Sequence, residues 1–182
     1  MSNTDFNKLA KEIHQYNKEA GWWDGDREIE TALMLVVTEI AEATEGERKN
    51  LMDDHLPNRK MGEVELADVL IRMLDIGGHL GLWYTKYADT WSYYQSTQSV
   101  FGKHFKLVQN VVGLYDDIMD DDMCAEEGDD KLTVSINYSL IIDYCLLIGR
   151  DMNYNLLDAM YEKMEYNKTR ADHKKENRAK AG

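Results

Sequence analysis

Apolar residues recur at helical spacing from the start of the chain. Phe6, Leu9, Ala10 and Ile13, with Asn17 on the same side, predict a first helix over residues 3–20. Gly21 ends it, and Trp22-Trp23-Asp24-Gly25-Asp26 reads as a turn. A second helix starts at Asp26 or Arg27 and runs to about Asn50, with Leu33, Val37, Ile40 and Thr44 along one face. After a polar loop, Pro57 suits the first turn of a third helix reaching Gly77 or beyond. Residues 100–118 form another helical pattern through Val100, Phe101, Phe105, Val108, Val111, Val112 and Tyr115. A closing helix runs from Leu156 to about Arg170, followed by a frayed basic tail over 171–182.

Two stretches are less regular. Residues 116–130 carry nine acidic and no basic residues, which predicts a solvated loop. In 132–148, Leu132, Val134, Ile136, Tyr138 and Leu140 alternate like a strand, yet 141–148 is too continuously apolar for a half-exposed one. A helix is the expectation, because a lone strand would find no partner elsewhere in the chain.

Composition sharpens this into an all-α single domain over residues 1–182. One proline and ten methionines in 182 residues argue for long helices and against a turn-rich β architecture. The net charge of −13 repels DNA, RNA and anionic membranes, so neither nucleic acid nor a membrane is an expected partner. A phosphate-bearing substrate would have to be met by local cations or metal ions. The first eleven residues lack the apolar centre of a secretory signal, and no apolar run approaches the length of a bilayer span. Cys124 and Cys145 form no metal or redox spacing. A cytoplasmic chain with reduced thiols is expected.

The third helix carries the most chemistry. Val64, Leu66, Ala67, Leu70, Ile71, Met73 and Leu74 make it apolar almost all round. Its charged members Glu65, Asp68, Arg72 and Asp75 fall within roughly a quarter of the circumference. On the second helix, Glu39 and Glu42 lie about 60° apart, one turn beyond the apolar Ala32 and Leu35. Carboxylates crowded between apolar helices repel one another or take up protons, and divalent cations resolve that conflict. Oxygen donors without cysteine or histidine select Mg²⁺, with Mn²⁺ a substitute. A single Glu-x-x-Glu would be ordinary solvated surface; two acidic pairs on adjacent apolar helices favour metal. A diiron bundle would need Glu-x-x-His, and no histidine follows Glu42 or Asp68 at that spacing. His79, four residues after Asp75, reads as an ordinary helix-end residue more readily than as a ligand.

Glu39-Ile-Ala-Glu42, a spacer over residues 43–64, then Glu65-Leu-Ala-Asp68 resembles the signature of the MazG-like all-α NTP pyrophosphohydrolases. Residues 17–23, 45–57 and the run Glu162-Lys-Met-Glu-Tyr-Asn-Lys-Thr-Arg170 are similar to that family's first-helix exit, inter-helix loop and closing helix. The resemblance implies a four-helix core, a dimer or tetramer, and Mg²⁺-dependent hydrolysis of (d)NTPs to monophosphate and pyrophosphate. Glu39, Glu42, Glu65 and Asp68 would be the metal-binding, catalytic carboxylates. Residues 84–154 match nothing in the family pattern and are expected to be a helical insert before the closing helix.

Lys163, Asn167 and Arg170 share one helical face, where they could hold phosphate oxygens or sugar; a basic last turn complementing the helix dipole is the alternative. His14, Asn17 and Trp23 could read or stack on a base, with Trp22 left to pack. Asp54, beside Asp53 and His55, could close over the site, Arg72 could pair with a carboxylate, and Asp75 could add a ligand. Two other functions compete. A phosphohydrolase acting on an alarmone or nucleotide sugar would give a different product from the same metal site. A non-enzymatic helical adaptor would show an exposed acidic stripe and no metal dependence.

Overall fold

The computed structural model describes residues 4–25, 27–86, 99–120 and 129–170. Among them the chain is all-α: α1 (Phe6–Glu19), α2 (Ile29–Lys49), α3 (Met61–Leu80), α4 (Val100–Met119), α5 (Asp129–Asp151) and α6 (Leu156–Thr169). The expected tail at 171–182 and the thiol of Cys124 lie outside the described residues.

α3 is the central helix, in contact with α1, α2, α5 and α6. Its all-round apolar surface is the reason: Val64, Leu66, Ala67, Val69, Leu70, Met73 and Leu74 are fully buried. This is compatible with a four-helix core of α1, α2, α3 and α6, to which α4 and α5 are added. α4 packs on α2 and α5, and α5 on α3.

Asp5 caps α1 by accepting from the Lys8 amide at 3.0 Å, and Ser99 caps α4 through the Gly102 amide at 3.2 Å. α3 ends on Gly81 at φ +64°, a left-handed position that glycine adopts without strain. α1 crosses α3 at Gly78, where an added Cβ would stand 2.6 Å from the Ala10 carbonyl oxygen. That close approach carries α1 side chains onto the charged stripe of α3.

Two boundaries differ from the sequence expectation, while the helix expected over 132–148 is present. Pro57 is not in the first turn of α3 but in the preceding loop, which folds back on itself. Asp53 N–H donates to the Arg59 carbonyl and Met61 N–H to that of Leu51, both at 3.0 Å, so the helix starts only at Met61. The acidic run is not all loop, since α4 extends to Met119 and α5 begins at Asp129; 121–128 lie outside the described residues. Over 132–148 the alternation is incidental: Val134, Tyr138, Ile141, Cys145 and Ile148 form the buried stripe of a helix. Against the expectation of no such run, Lys131–Asp151 is long and apolar enough by composition to cross a bilayer. Slightly more than half of it, 56%, is buried within the fold, as suits a helix seated against α3 and α4. The Cys145 thiol is free and buried, 3.4 Å from the Leu66 carbonyl.

α6 is held in place by Arg59, at the end of the loop before α3. Its guanidinium donates to Glu162 on α6 through Nε and Nη2, both at 2.8 Å, and to Glu63 on α3 at 2.9 Å. Glu63 also accepts from the Asn155 amide at 2.8 Å, at the entry to α6. A buried carboxylate satisfied from two sides fixes the register of α6 against α3.

Candidate metal and anion site

α2 and α3 bring Glu39, Glu42 and Glu65 together, with carboxylate oxygens within 4.8 Å of one another. Glu39 and Glu65 are buried and Glu42 is exposed. Burial pushes the Glu65 carboxyl up to about 8; Lys163 opposes that rise, while the charges of Asp68 and Glu39 and a hydrogen bond with Glu39 add to it. Two cations lie against the group. Arg72, one turn beyond Asp68, binds Glu39. Lys163 reaches in from α6 to Asp68, Nζ to Oδ2 at 2.9 Å.

Asp68 thus stands beside the three clustered glutamates, engaged by Lys163. Burial also raises the Asp68 pKa, against the pull of Lys163. Burial works against the Lys163 ammonium, yet Asp68, Glu65 and Asp53 hold its pKa above the ordinary lysine value. With the three clustered glutamates and Asp68 all ionised, four carboxylates would exceed the two cations by two negative charges. Oxygen donors with that excess could hold a hard divalent cation.

The far end of the α3 stripe is differently used. Asp75 accepts from His14 Nδ1 and Asn17 Nδ2, both at 2.8 Å, and from Trp23 Nε1 at 2.9 Å. Trp23 in turn stacks on His79, ring centroids 3.9 Å apart. His14, Asn17 and Trp23, three candidates for base contact, therefore converge on one buried carboxylate. Trp23 packs against the core, whereas Trp22 lines the neighbouring cavity. Asp75 anchors the turn after α1, and its oxygens are taken by these donors rather than facing the glutamate cluster. Asp75→Ala should lower stability by about 2 kcal/mol, because it strands three part-buried donors at once. Urea melts followed by tryptophan emission measure this, and an unchanged midpoint would remove the anchor role.

A cavity of about 410 Å³ opens between α1, α3 and α6. Asp68, Arg72 and Lys163 line it, linking it directly to the carboxylate cluster. Its cations are Arg27, Arg72, Lys163, Lys168 and Arg170, against the acids Glu12, Asp68 and Asp75. In a chain of net charge −13, this is a local reversal of sign. Asn17, Asn167 and Arg170 lie on its wall as well. The Asn167 side-chain oxygen is buried without a hydrogen-bond partner, which leaves an acceptor beside the cavity for a donor from a ligand.

Arg27 was not a candidate by sequence, yet it lines the cavity. Its guanidinium sits over Trp23 at 5.0 Å from the ring centroid and donates to the Trp22 carbonyl at 3.2 Å. Burial lowers its pKa, with Asp75 pulling the other way. Its signal was isolation: no other lysine or arginine occurs between Lys18 and Arg48. In the loop before α3, Asp53 is buried and spends Oδ1 on the amides of His55 and Leu56, at 2.9 and 2.7 Å. Asp54 is exposed and is not among the residues lining the cavity.

Fold and site together define an all-α protein with a carboxylate cluster coupled to a cation-rimmed cavity. No family model, curated protein or solved structure matches this chain.

Proposed function

We propose that this protein is a Mg²⁺-dependent hydrolase of nucleoside triphosphates, releasing the monophosphate and pyrophosphate. The observation that carries the reading is the direct link between the glutamate cluster and a cavity of opposite charge, made by Asp68 and Lys163. A polyanion seated against Arg27, Lys168 and Arg170 would have its phosphates near a cluster of three glutamates that could hold a divalent cation.

Glu39, Glu42, Glu65 and Asp68 would hold the metal, which when bound neutralises phosphate charge and activates water. Arg72 keeps Glu39 oriented, and Lys163 does so for Asp68. Arg170 can bind two phosphate oxygens at once, and Lys168 offers a point charge. Trp22 and Tyr16 supply aromatic wall for a base, and Asn167 an acceptor for a base or sugar donor. The protein's contribution is positioning and fixed charge.

Purified protein with a panel of ribo- and deoxynucleoside triphosphates, alarmones and nucleotide sugars tests this by separation of products. Monophosphate and pyrophosphate from triphosphates are expected, with activity lost in chelator and restored by Mg²⁺ or Mn²⁺. Full turnover in excess chelator would overturn the metal assignment. Orthophosphate as the product, or turnover confined to the other nucleotides, would overturn the reaction.

A further inference from the structure

Of the four carboxylates on the facing sides of α2 and α3, three gather and the fourth does not. Oxygens of Glu39, Glu42 and Glu65 come within 4.8 Å of one another, and Asp68 is not in that group. Asp68 is drawn instead to Lys163, Nζ to Oδ2 at 2.9 Å, the one ion pair that Lys163 makes among the described residues. The pair is enclosed, with side chains 5% exposed for the lysine and 14% for the aspartate. Glu65 and Asp53 also act on the ammonium by charge. Lys163 thus sits where negative potential is concentrated, the position a metal ion would seek, and it carries half the charge of a divalent one.

Two cations cannot hold Asp68 on the same terms. A divalent ion attracts that carboxylate about twice as strongly as an ammonium at equal distance, and it repels an ammonium left on the same group. Direct bonding to Mg²⁺ also draws the oxygen to roughly 2.1 Å, closer than any hydrogen bond. The lysine has somewhere to go. With Asp68 and Arg72 it lines the cavity of about 410 Å³. Its flexible four-carbon stem lets the ammonium turn while α6 stays where Arg59 holds it through Glu162.

We propose that Lys163 is an exchangeable counter-ion. It holds Asp68 off the glutamate cluster until a divalent cation takes that carboxylate into the cluster, and the released ammonium then faces the cavity and meets phosphate oxygens. Lys163 orients Asp68 up to the exchange and not after it. The order of binding follows: metal first and phosphate second, because before the exchange the lysine is spent on Asp68. The inference rests on the metal assignment proposed above and requires no turnover.

Amine acetylation mapped by mass spectrometry reads the exchange in the wild type, with Mg²⁺ binding followed separately by calorimetry. Lys163 should be protected in chelator and labelled roughly tenfold faster or more in saturating Mg²⁺. The buried Cys145 should stay closed to iodoacetamide in both conditions; its labelling alongside would show general loosening and overturn the exchange. Inorganic pyrophosphate should slow acetylation of Lys163 again in Mg²⁺, and equal shielding in chelator would overturn the order of binding. Lys163→Met, which lacks the competing cation, should bind Mg²⁺ roughly tenfold more tightly than the wild type. Mg²⁺ binding that leaves Lys163 protected, or weaker Mg²⁺ binding by Lys163→Met, would overturn the exchange and leave the metal assignment standing. A wild type that binds no Mg²⁺ would overturn the metal assignment and the exchange with it.

Discussion

Glu65→Gln is expected to lower turnover by roughly 100-fold or more, while making the metal-free protein more stable at neutral to alkaline pH. The two effects share one cause. Glu65 is buried among Glu39, Asp68 and Lys163, and its pKa rises from 4.5 to about 8 on folding. A carboxyl raised in the folded state adds stability below its unfolded pKa and loses it as pH rises through the folded one. Wild-type melting without metal should therefore fall between about pH 5 and about pH 8. Glutamine carries no ionisable proton, so the variant should show a flatter profile, and Mg²⁺ should flatten that of the wild type. Glu42→Gln separates the roles: turnover should fall similarly, but metal-free stability should barely change because Glu42 is exposed. Thermal melts across pH with and without Mg²⁺, beside turnover assays, read both. Normal turnover in both variants would dismantle the carboxylate site.

Lys163→Met should be the most destabilising single change at the site, by about 3–5 kcal/mol without metal. It removes the cation paired with Asp68 and leaves that carboxylate and Glu65 crowded in a buried setting. Mg²⁺ should recover part of the loss by supplying positive charge to the same oxygens. Arg170→Ala, at the end of α6, should instead lower kcat/KM by roughly 10- to 1,000-fold with little change in melting. Urea denaturation with and without Mg²⁺ makes the comparison. Equal stability of Lys163→Met and wild type in chelator would show that the buried pair contributes nothing net.

The helices were legible where burial forces a clear period. α3 is apolar on nearly every side, and a helix of that kind has to lie at the centre. Its charged stripe was legible for the same reason, because few polar residues are tolerated there without partners. What each charge touches was not legible. Asp68 and Asp75 share the stripe, yet one meets Lys163 from α6 and the other meets His14, Asn17 and Trp23 from the first helix and its exit. That division depends on the α1–α3 crossing at Gly78 and on the hold of Arg59 over α6, contacts between distant parts of the chain. Pro57 misled because proline suits a first helical turn and a loop equally well.

The arrangement of Lys163 bears on the order in which the protein assembles during synthesis. The carboxylates on α3 leave the ribosome nearly a hundred residues before the lysine that balances Asp68, and those on α2 earlier still. Until then, docking α2 on α3 would confine these carboxylates with Arg72 present but the ammonium that meets Asp68 still missing, an arrangement water opposes. The nascent chain therefore has reason to keep these helices loosely associated and the carboxylates hydrated. Arrival of α6 supplies the missing ammonium and, through Glu162, the brace to Arg59. Closure of the core is thus tied to the last described helix, and a half-made chain is not committed to a half-made site.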